Sequence, residues 1–307
     1  MAEYTFDNVN LLICDANGFI RSALRAGLNS LGFRQVRDTG KYNEIVKAVE
    51  ANSVDVLVCD EAMPGGDLSA LVRRIRNHEI GDNPFIVAIF ITDTPTQKMI
   101  SKVINSGVDD ILLKPISTKI VHNRIMHLVG SRKPFVVTSN YIGPDRHKSP
   151  QEDSNVPLID VPNPLRIKAT GEENSERIQE KIDTFTKEIN AQKMERNAAH
   201  IAYLVNFIHP HYSGAKPDEH IVQHLDDLRM TSEDINRRLR GTSYAHVGEL
   251  CLNMLDIANR IRKQFKKPET KDLELLPNLS AAIKIAFDPE KRTAELAREI
   301  SDSMRRR

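Results

Sequence analysis

Cysteine is scarce: three residues in 307, Cys14, Cys59 and Cys251, each in an apolar run and none in a paired spacing. That argues against a disulfide framework or a zinc cluster. It leaves three buried small hydrophobes in a reducing compartment as the expectation. No apolar run approaches the roughly 20 residues that cross a bilayer, and no basic segment followed by an apolar core opens the chain. Membrane insertion is not expected, and the expected location is the cytoplasm. Excess charge is missing too: 43 Lys+Arg against 42 Asp+Glu leave +1, which speaks against a global polyanion-binding surface. With 40% hydrophobic and 28% charged residues the composition is that of a globular chain, long enough for two domains.

The most informative stretch is Val54-Asp55-Val56-Leu57-Val58-Cys59-Asp60-Glu61-Ala62-Met63-Pro64-Gly65. An aliphatic run that ends in a carboxylate and then in Met-Pro-Gly predicts a strand buried on both faces, delivering Asp60 to the rim of a parallel sheet. The same alternation repeats along the first 130 residues. Strands are predicted at 9–14, 35–37, 54–60, 84–91 and 110–113. Helices are predicted at 19–31, with Phe19, Leu24, Leu28 and Leu31 at helical spacing, and at 42–51, 68–76, 97–105 and 118–129. Five strands alternating with five helices imply an α/β fold, a doubly wound five-stranded parallel sheet with right-handed crossovers.

Asp15, Asp60, Thr92 and Lys114 each follow a separate strand, so one rim would collect all four. A carboxylate can attack phosphorus, a second carboxylate can help hold Mg²⁺, and a hydroxyl and an ammonium can bind phosphoryl oxygens. Taken singly, such acids and hydroxyls often cap helices and such a lysine is often a surface residue. Taken together, and with Met63-Pro64 after Asp60 and Pro115 after Lys114, the segment 9–130 resembles a receiver domain of two-component response regulators, the flavodoxin-like fold of the chemotaxis regulator. The resemblance implies that Asp60 is the phosphoacceptor, with Thr92 as the switch hydroxyl and Lys114 as the phosphoryl-binding lysine. It also implies that Asp15, Asp60 and the backbone carbonyl of Ala62 hold Mg²⁺. A sensor histidine kinase or phosphotransfer protein would supply the phosphoryl group.

Three positions depart from that pattern. Ala16 stands where the family has a second acid, which removes one metal ligand and weakens Mg²⁺ binding unless water substitutes. Asp93 follows the switch hydroxyl where a small residue is usual. It either turns inward or caps the next helix, the latter being the preferred expectation. Ile111 takes the place of the aromatic switch and lacks its ring and hydroxyl.

Residues 131–171 carry six prolines and read as an extended linker, with Phe135 and Tyr141 expected to pin it to a folded neighbour. Residues 172–307 lack strand signals and read as an all-α bundle. Ile178, Ile182, Phe185 and Ile189 form a seam that calls for a partner, either a second copy in a homodimer or the receiver. The pattern continues to Ile208, with Pro210 expected to end it. Further helices are expected from Pro217 to Gly241, from a Thr242 or Ser243 cap through Ile261, near 273–287, and from Asp288-Pro289. His200 lacks the following lysine of a phosphotransfer histidine, and His220 with His224 lacks companion metal ligands, so surface or half-buried imidazoles are expected. No enzymatic motif stands out, and the near balance of charge speaks against a nucleic-acid partner. The resulting reading is a response regulator signalling through a helical domain that binds a protein partner. A phosphorylation-independent docking scaffold and a DNA-binding regulator stay open as alternatives.

Overall fold

The structure, a computed structural model, describes residues 4–93, 95–146, 156–171, 175–214, 219–239, 242 and 247–288. The chain divides into two compact units, Met1–Glu188 and Ile189–Arg307. In the first, strands β1 (Asn10–Cys14), β2 (Gln35–Thr39), β3 (Val56–Asp60), β4 (Val87–Thr92) and β5 (Asp110–Leu113) alternate with helices α1 (Gly18–Ser30), α2 (Tyr42–Glu50), α3 (Leu68–Arg76), α4 (Gln97–Asn105) and α5 (Thr118–Ser131). The five strands form one parallel sheet in the order β2-β1-β3-β4-β5. The strand order reverses between β1 and β3, and the crevice at such a switch point is where open α/β sheets place their chemistry.

The side-chain period of two divides the central strands between two cores. Leu11, Ile13, Val56, Val58, Val87, Ile89 and Ile91 face α1 and α5. Leu12, Cys14, Leu57, Cys59, Ala88 and Phe90 face α2, α3 and α4. Burial on both faces is why these strands read as continuous aliphatic runs. On α1, Leu24 and Leu28 are buried as expected, but Phe19 is 83% exposed and Leu31 is 41% exposed. Five residues separate Phe19 from Leu24, about 140° around a helix, which turns Phe19 off the buried stripe.

The proline-rich segment is folded over much of its described length. Strands β6 (Phe135–Val137) and β7 (Ile142–Pro144) pair antiparallel, and Phe135 also bridges Ile159. Helix α6 (Pro164–Thr170) is capped by Asn163, which also donates from Nδ2 to the Leu128 carbonyl at 2.8 Å. Leu165 and Ala169 complete the α1–α5 core, and Lys168 pairs with the buried Asp55 at 2.7 Å. An extended linker is therefore not what these residues form. Their few apolar side chains find a prefabricated surface on the receiver, so the segment does not need a core of its own.

Helix α7 (Ser175–Gly214) runs 40 residues without the break expected at Pro210. The carbonyl that Pro210 cannot serve belongs to Asn206, an exposed residue that water can satisfy. In the second unit, α7 from Ile189 onward, α8 (His220–Leu239), α9 (Gly248–Lys263) and α10 (Thr270–Ala286) share one core around Ile201, Ile208, Leu225, Leu228, Met254, Ile257 and Ile283. Thr242 does not cap α9: its hydroxyl donates to the Leu239 carbonyl and closes α8, while α9 starts after Val247 without a side-chain cap. Pro217, Gly241 and Ser243, and the helix expected from Asp288-Pro289, lie wholly or mostly outside the described residues. No described helix is long and apolar enough to cross a membrane.

Candidate functional site

Asp15 directly follows β1, Asp60 ends β3, Thr92 ends β4 and Lys114 follows β5, so the parallel register brings the four to one rim. Backbone pairing draws the last two together, the Lys114 N–H donating to the Thr92 carbonyl at 2.8 Å. The peptide Lys114-Pro115 is cis.

Lys114 Nζ lies 2.7 Å from Asp60 Oδ2 and 3.6 Å from Asp15 Oδ2. Asp60 Oδ1 accepts from the Ala62 N–H at 3.1 Å, and Asp15 Oδ1 from the Asn17 N–H at 2.7 Å. Asp15, Asp60 and Thr92 are all buried. Burial pulls the Lys114 pKa down, but the hydrogen bond to Asp60 and the charges of Asp60, Asp15 and Asp93 outweigh it and hold the ammonium above the usual lysine range.

Two carboxylates against one ammonium leave the hollow with a net negative charge, and Asp15 Oδ2 is enclosed without a hydrogen-bond donor. An orphaned buried carboxylate oxygen beside a second carboxylate is an oxygen donor set suited to a hard divalent cation. Ala16 contributes only backbone: its carbonyl accepts from Arg21 Nη1 at 3.2 Å, and the Asp15 carbonyl accepts from the same atom at 2.7 Å. Arg21, anchored in turn on Asp38 at 3.0 Å, thus clamps the loop that presents Asp15. This role of Arg21 is not legible in the sequence, because a guanidinium serving backbone carbonyls leaves no pattern along the chain.

Asp93 is exposed and does not cap α4; Thr96 does, accepting from the Met99 N–H. Ile111 is partly buried against the core that includes Phe90 and Val103. Beneath the acids, Cys14 and Cys59 are register partners on adjacent strands. Burial, the Cys14 contact and the Asp60 charge push the Cys59 thiol well up, so it stays protonated.

At the opposite edge of the sheet lies a network absent from the sequence reading. Asp109 is fully enclosed and accepts from Arg76 at 2.9 Å, from Arg132 at 2.8 Å and from the Ala88 N–H at 2.8 Å. Arg76 also donates to the carbonyls of Gly107, Pro84 and Ile86, and Arg132 to those of Phe85 and Pro162. Burial brings Arg76 down to about 10, still charged at neutral pH. Both guanidinium groups stand over the Phe135 ring, their carbons 5.2 and 5.0 Å from its centre.

The family model for the response regulator receiver domain matches residues 11–126. Residues 11–126 are a response regulator receiver domain. The receiver match ends before Arg132, Phe135 and α6, which therefore extend it. Among curated proteins, a cyclic di-GMP phosphodiesterase of Thermotoga maritima is 25% identical over 136 residues, 44% of this chain and 34% of that protein. The cyclic di-GMP phosphodiesterase response regulator RpfG of Xanthomonas campestris pv. campestris is 30% identical over 129 residues, 41% and 33% respectively. The chain thus spans about a third of the length of these relatives. Among solved structures, a CheY-like receiver from Methanospirillum hungatei JF-1 is 18% identical, with a TM-score of 0.35, covering 39% of this chain and 91% of that one.

Proposed function

We propose that this chain is a two-component response regulator in which Asp60 accepts a phosphoryl group from a sensor histidine kinase or phosphotransfer protein. The observation that carries it is the meeting of Asp60, Asp15 and Lys114, with Lys114 Nζ 2.7 Å from Asp60 Oδ2 and Asp15 Oδ2 enclosed without a donor. In the transfer an Asp60 oxygen attacks phosphorus, the P–N bond to the donor imidazole breaks, and the nitrogen keeps the electron pair. Lys114, already in the hollow, then pairs with the added phosphoryl oxygens, and Thr92 offers its hydroxyl from the end of β4. Asp15, Asp60 and the Ala62 carbonyl are the groups to hold Mg²⁺, which when bound neutralises phosphoryl charge. Ile111, without a ring, moves the output away from an aromatic switch and toward repacking of β4, β5 and α4.

We read residues 1–130 as the receiver, 131–171 as its extension and connection, and 172–307 as a helical domain that binds a protein partner or a second copy. Incubating the full chain with Mg²⁺ and a small phosphodonor should add one phosphoryl mass to the wild type and none to Asp60→Asn. No gain in either protein favours a docking scaffold that keeps the fold without the chemistry. The phosphodiesterase activity named for the two relatives is checked in the same preparation with cyclic di-GMP. This reading expects no hydrolysis.

A further inference from the structure

We propose that His200 of α7 is a second phosphoryl-accepting side chain of this protein, taking the group at Nε2 from an aspartyl phosphate. The proposal rests on the reading of Asp60 above for its donor. His200 is half-buried on the bundle, and its Nδ1 lies 3.4 Å from the Thr231 hydroxyl of α8. That hydroxyl donates its one hydrogen to the Asp227 carbonyl at 2.7 Å, so it meets the imidazole with a lone pair. The chain of hydrogen bonds therefore assigns the ring proton to Nδ1 and leaves the lone pair on Nε2.

No described protein group hydrogen-bonds to Nε2, and it is not among the enclosed atoms of the bundle. By contrast, His211 Nε2 and His224 Nδ1 are enclosed, and the His224 ring lies 4.3 Å from that of Phe207. Burial depresses the His200 pKa, Asp227 opposes and Lys193 adds to it; the net effect lowers it, so the ring is neutral at neutral pH. A neutral imidazole with an open Nε2 is a nucleophile. The neighbours Ala199 and Ala202 are small, and Tyr203, itself exposed, stacks on the ring at 6.3 Å. A buried cation, Lys193, lies two turns earlier on the same face of α7.

In the step itself, the Nε2 lone pair forms a bond to phosphorus as the P–O bond to the aspartate breaks, and the aspartate leaves as its carboxylate. The Nδ1 proton stays on the ring, bonded to Thr231. The positive charge that develops on the phosphorylated ring faces Asp227.

The test uses the full chain in two arms, with phosphosites mapped at neutral to basic pH so that phosphohistidine survives. In the first, wild type, Asp60→Asn and His200→Gln are loaded with Mg²⁺ and acetyl phosphate, a donor that does not label imidazole directly. The expected result is phosphate on His200 in the wild type only, with Asp60 still loaded in His200→Gln. In the second, phosphoramidate is applied to Asp60→Asn without Mg²⁺, and His200 should be labelled ahead of the other nine of the ten histidines. Thr231→Val should lose that lead and shift the His200 ¹⁵N resonances away from the Nδ1–H tautomer, a change that simple loss of packing does not produce. Asp60 loaded with His200 bare overturns the proposal while sparing the reading of Asp60. If Asp60 itself fails to load, the phosphoramidate arm still decides: His200 labelled first upholds the site, and His200 labelled no faster than the rest overturns it.

Discussion

A single methyl group at Ala16 sets the acidic hollow apart from the pattern its other residues follow. Asp15 alone faces Lys114 from the end of β1, and the clamp from Arg21 to the carbonyls of Asp15 and Ala16 holds the loop whatever side chain residue 16 carries. Adding a carboxylate there, as Ala16→Asp, places one more negative charge beside the proposed cation position. At an effective dielectric near 20 such a charge is worth several kcal/mol to a cation, and its own desolvation offsets much of that. The expected outcome is Mg²⁺ binding tightened by roughly tenfold, about 1.4 kcal/mol, in calorimetric titration. An unchanged affinity would remove Asp15 and its loop from the proposed metal site. Ala16 was legible as a departure in the sequence. Arg21 as its clamp was not, because the two oxygens it clamps in that loop belong to the main chain.

The elements that follow α5 show how polar side chains recruit a segment that its composition marks as a linker. Arg132 reaches across the N-terminal ends of β4 and β5 to Asp109 and three carbonyls, and the β6–β7 hairpin lays the Phe135 ring against the guanidinium groups of Arg132 and Arg76. Among the described residues, Asp109 is the acid that pairs with both guanidinium groups. Asp109→Asn keeps the shape and removes the charge, leaving two buried cations without an anion. Loss of one partner of a buried ion pair costs about 3–5 kcal/mol. The melting temperature of the first unit should therefore fall by on the order of 10 °C, read by calorimetry. A shift within a degree or two would mean that the carbonyl acceptors alone satisfy the two guanidinium groups. Prolines and polar residues at 131–171 concealed this folding because the surface that orders them lies elsewhere in the chain. Phe135 and Tyr141 were the visible clues: the Phe135 ring is wholly buried, and the Tyr141 hydroxyl donates to the Pro144 carbonyl at 2.8 Å.

Across the whole molecule, two units with separate cores imply two cooperative transitions rather than one. The chain has no tryptophan, so hydrogen exchange with mass detection is the readout that assigns each transition to its peptides. Leu228→Ala, at a fully buried site of α8, should lower only the second-unit transition, by about 2–5 kcal/mol. Asp109→Asn should lower only the first. Movement of both transitions by either variant would show that the units unfold as one. Acid should act on the second unit through Asp234, which pairs with Arg238 at 3.0 Å. Burial raises its pKa, but the charge and hydrogen bond of Arg238, with Arg237 and Lys193, outweigh that and hold it below the usual carboxylate range. A depressed pKa contributes stability that is fully present above the unfolded value near 3.9 and is lost as pH falls through the folded value. The second-unit transition should retreat below about pH 4, and Asp234→Asn should remove part of that sensitivity.

What the residues determine by themselves is the local periodicity and what terminates it. Aliphatic runs ending in Asp15, Asp60, Thr92 and Lys114 dictate four of the five strands and the rim that collects their ends, because a buried parallel strand needs continuous apolar character and delivers its last side chain to the crevice. The helical character of the second region is dictated in the same way by its 3.6-residue spacing. Tertiary structure alone decided which polar groups meet across long separations. Lys168 reaches Asp55 over 113 residues, Arg132 reaches Asp109, and the Thr231 hydroxyl orients His200 from another helix. Such contacts depend on the direction in which a charged or hydroxyl side chain leaves its element and on carbonyls exposed at strand edges. Neither quantity has a period along the chain.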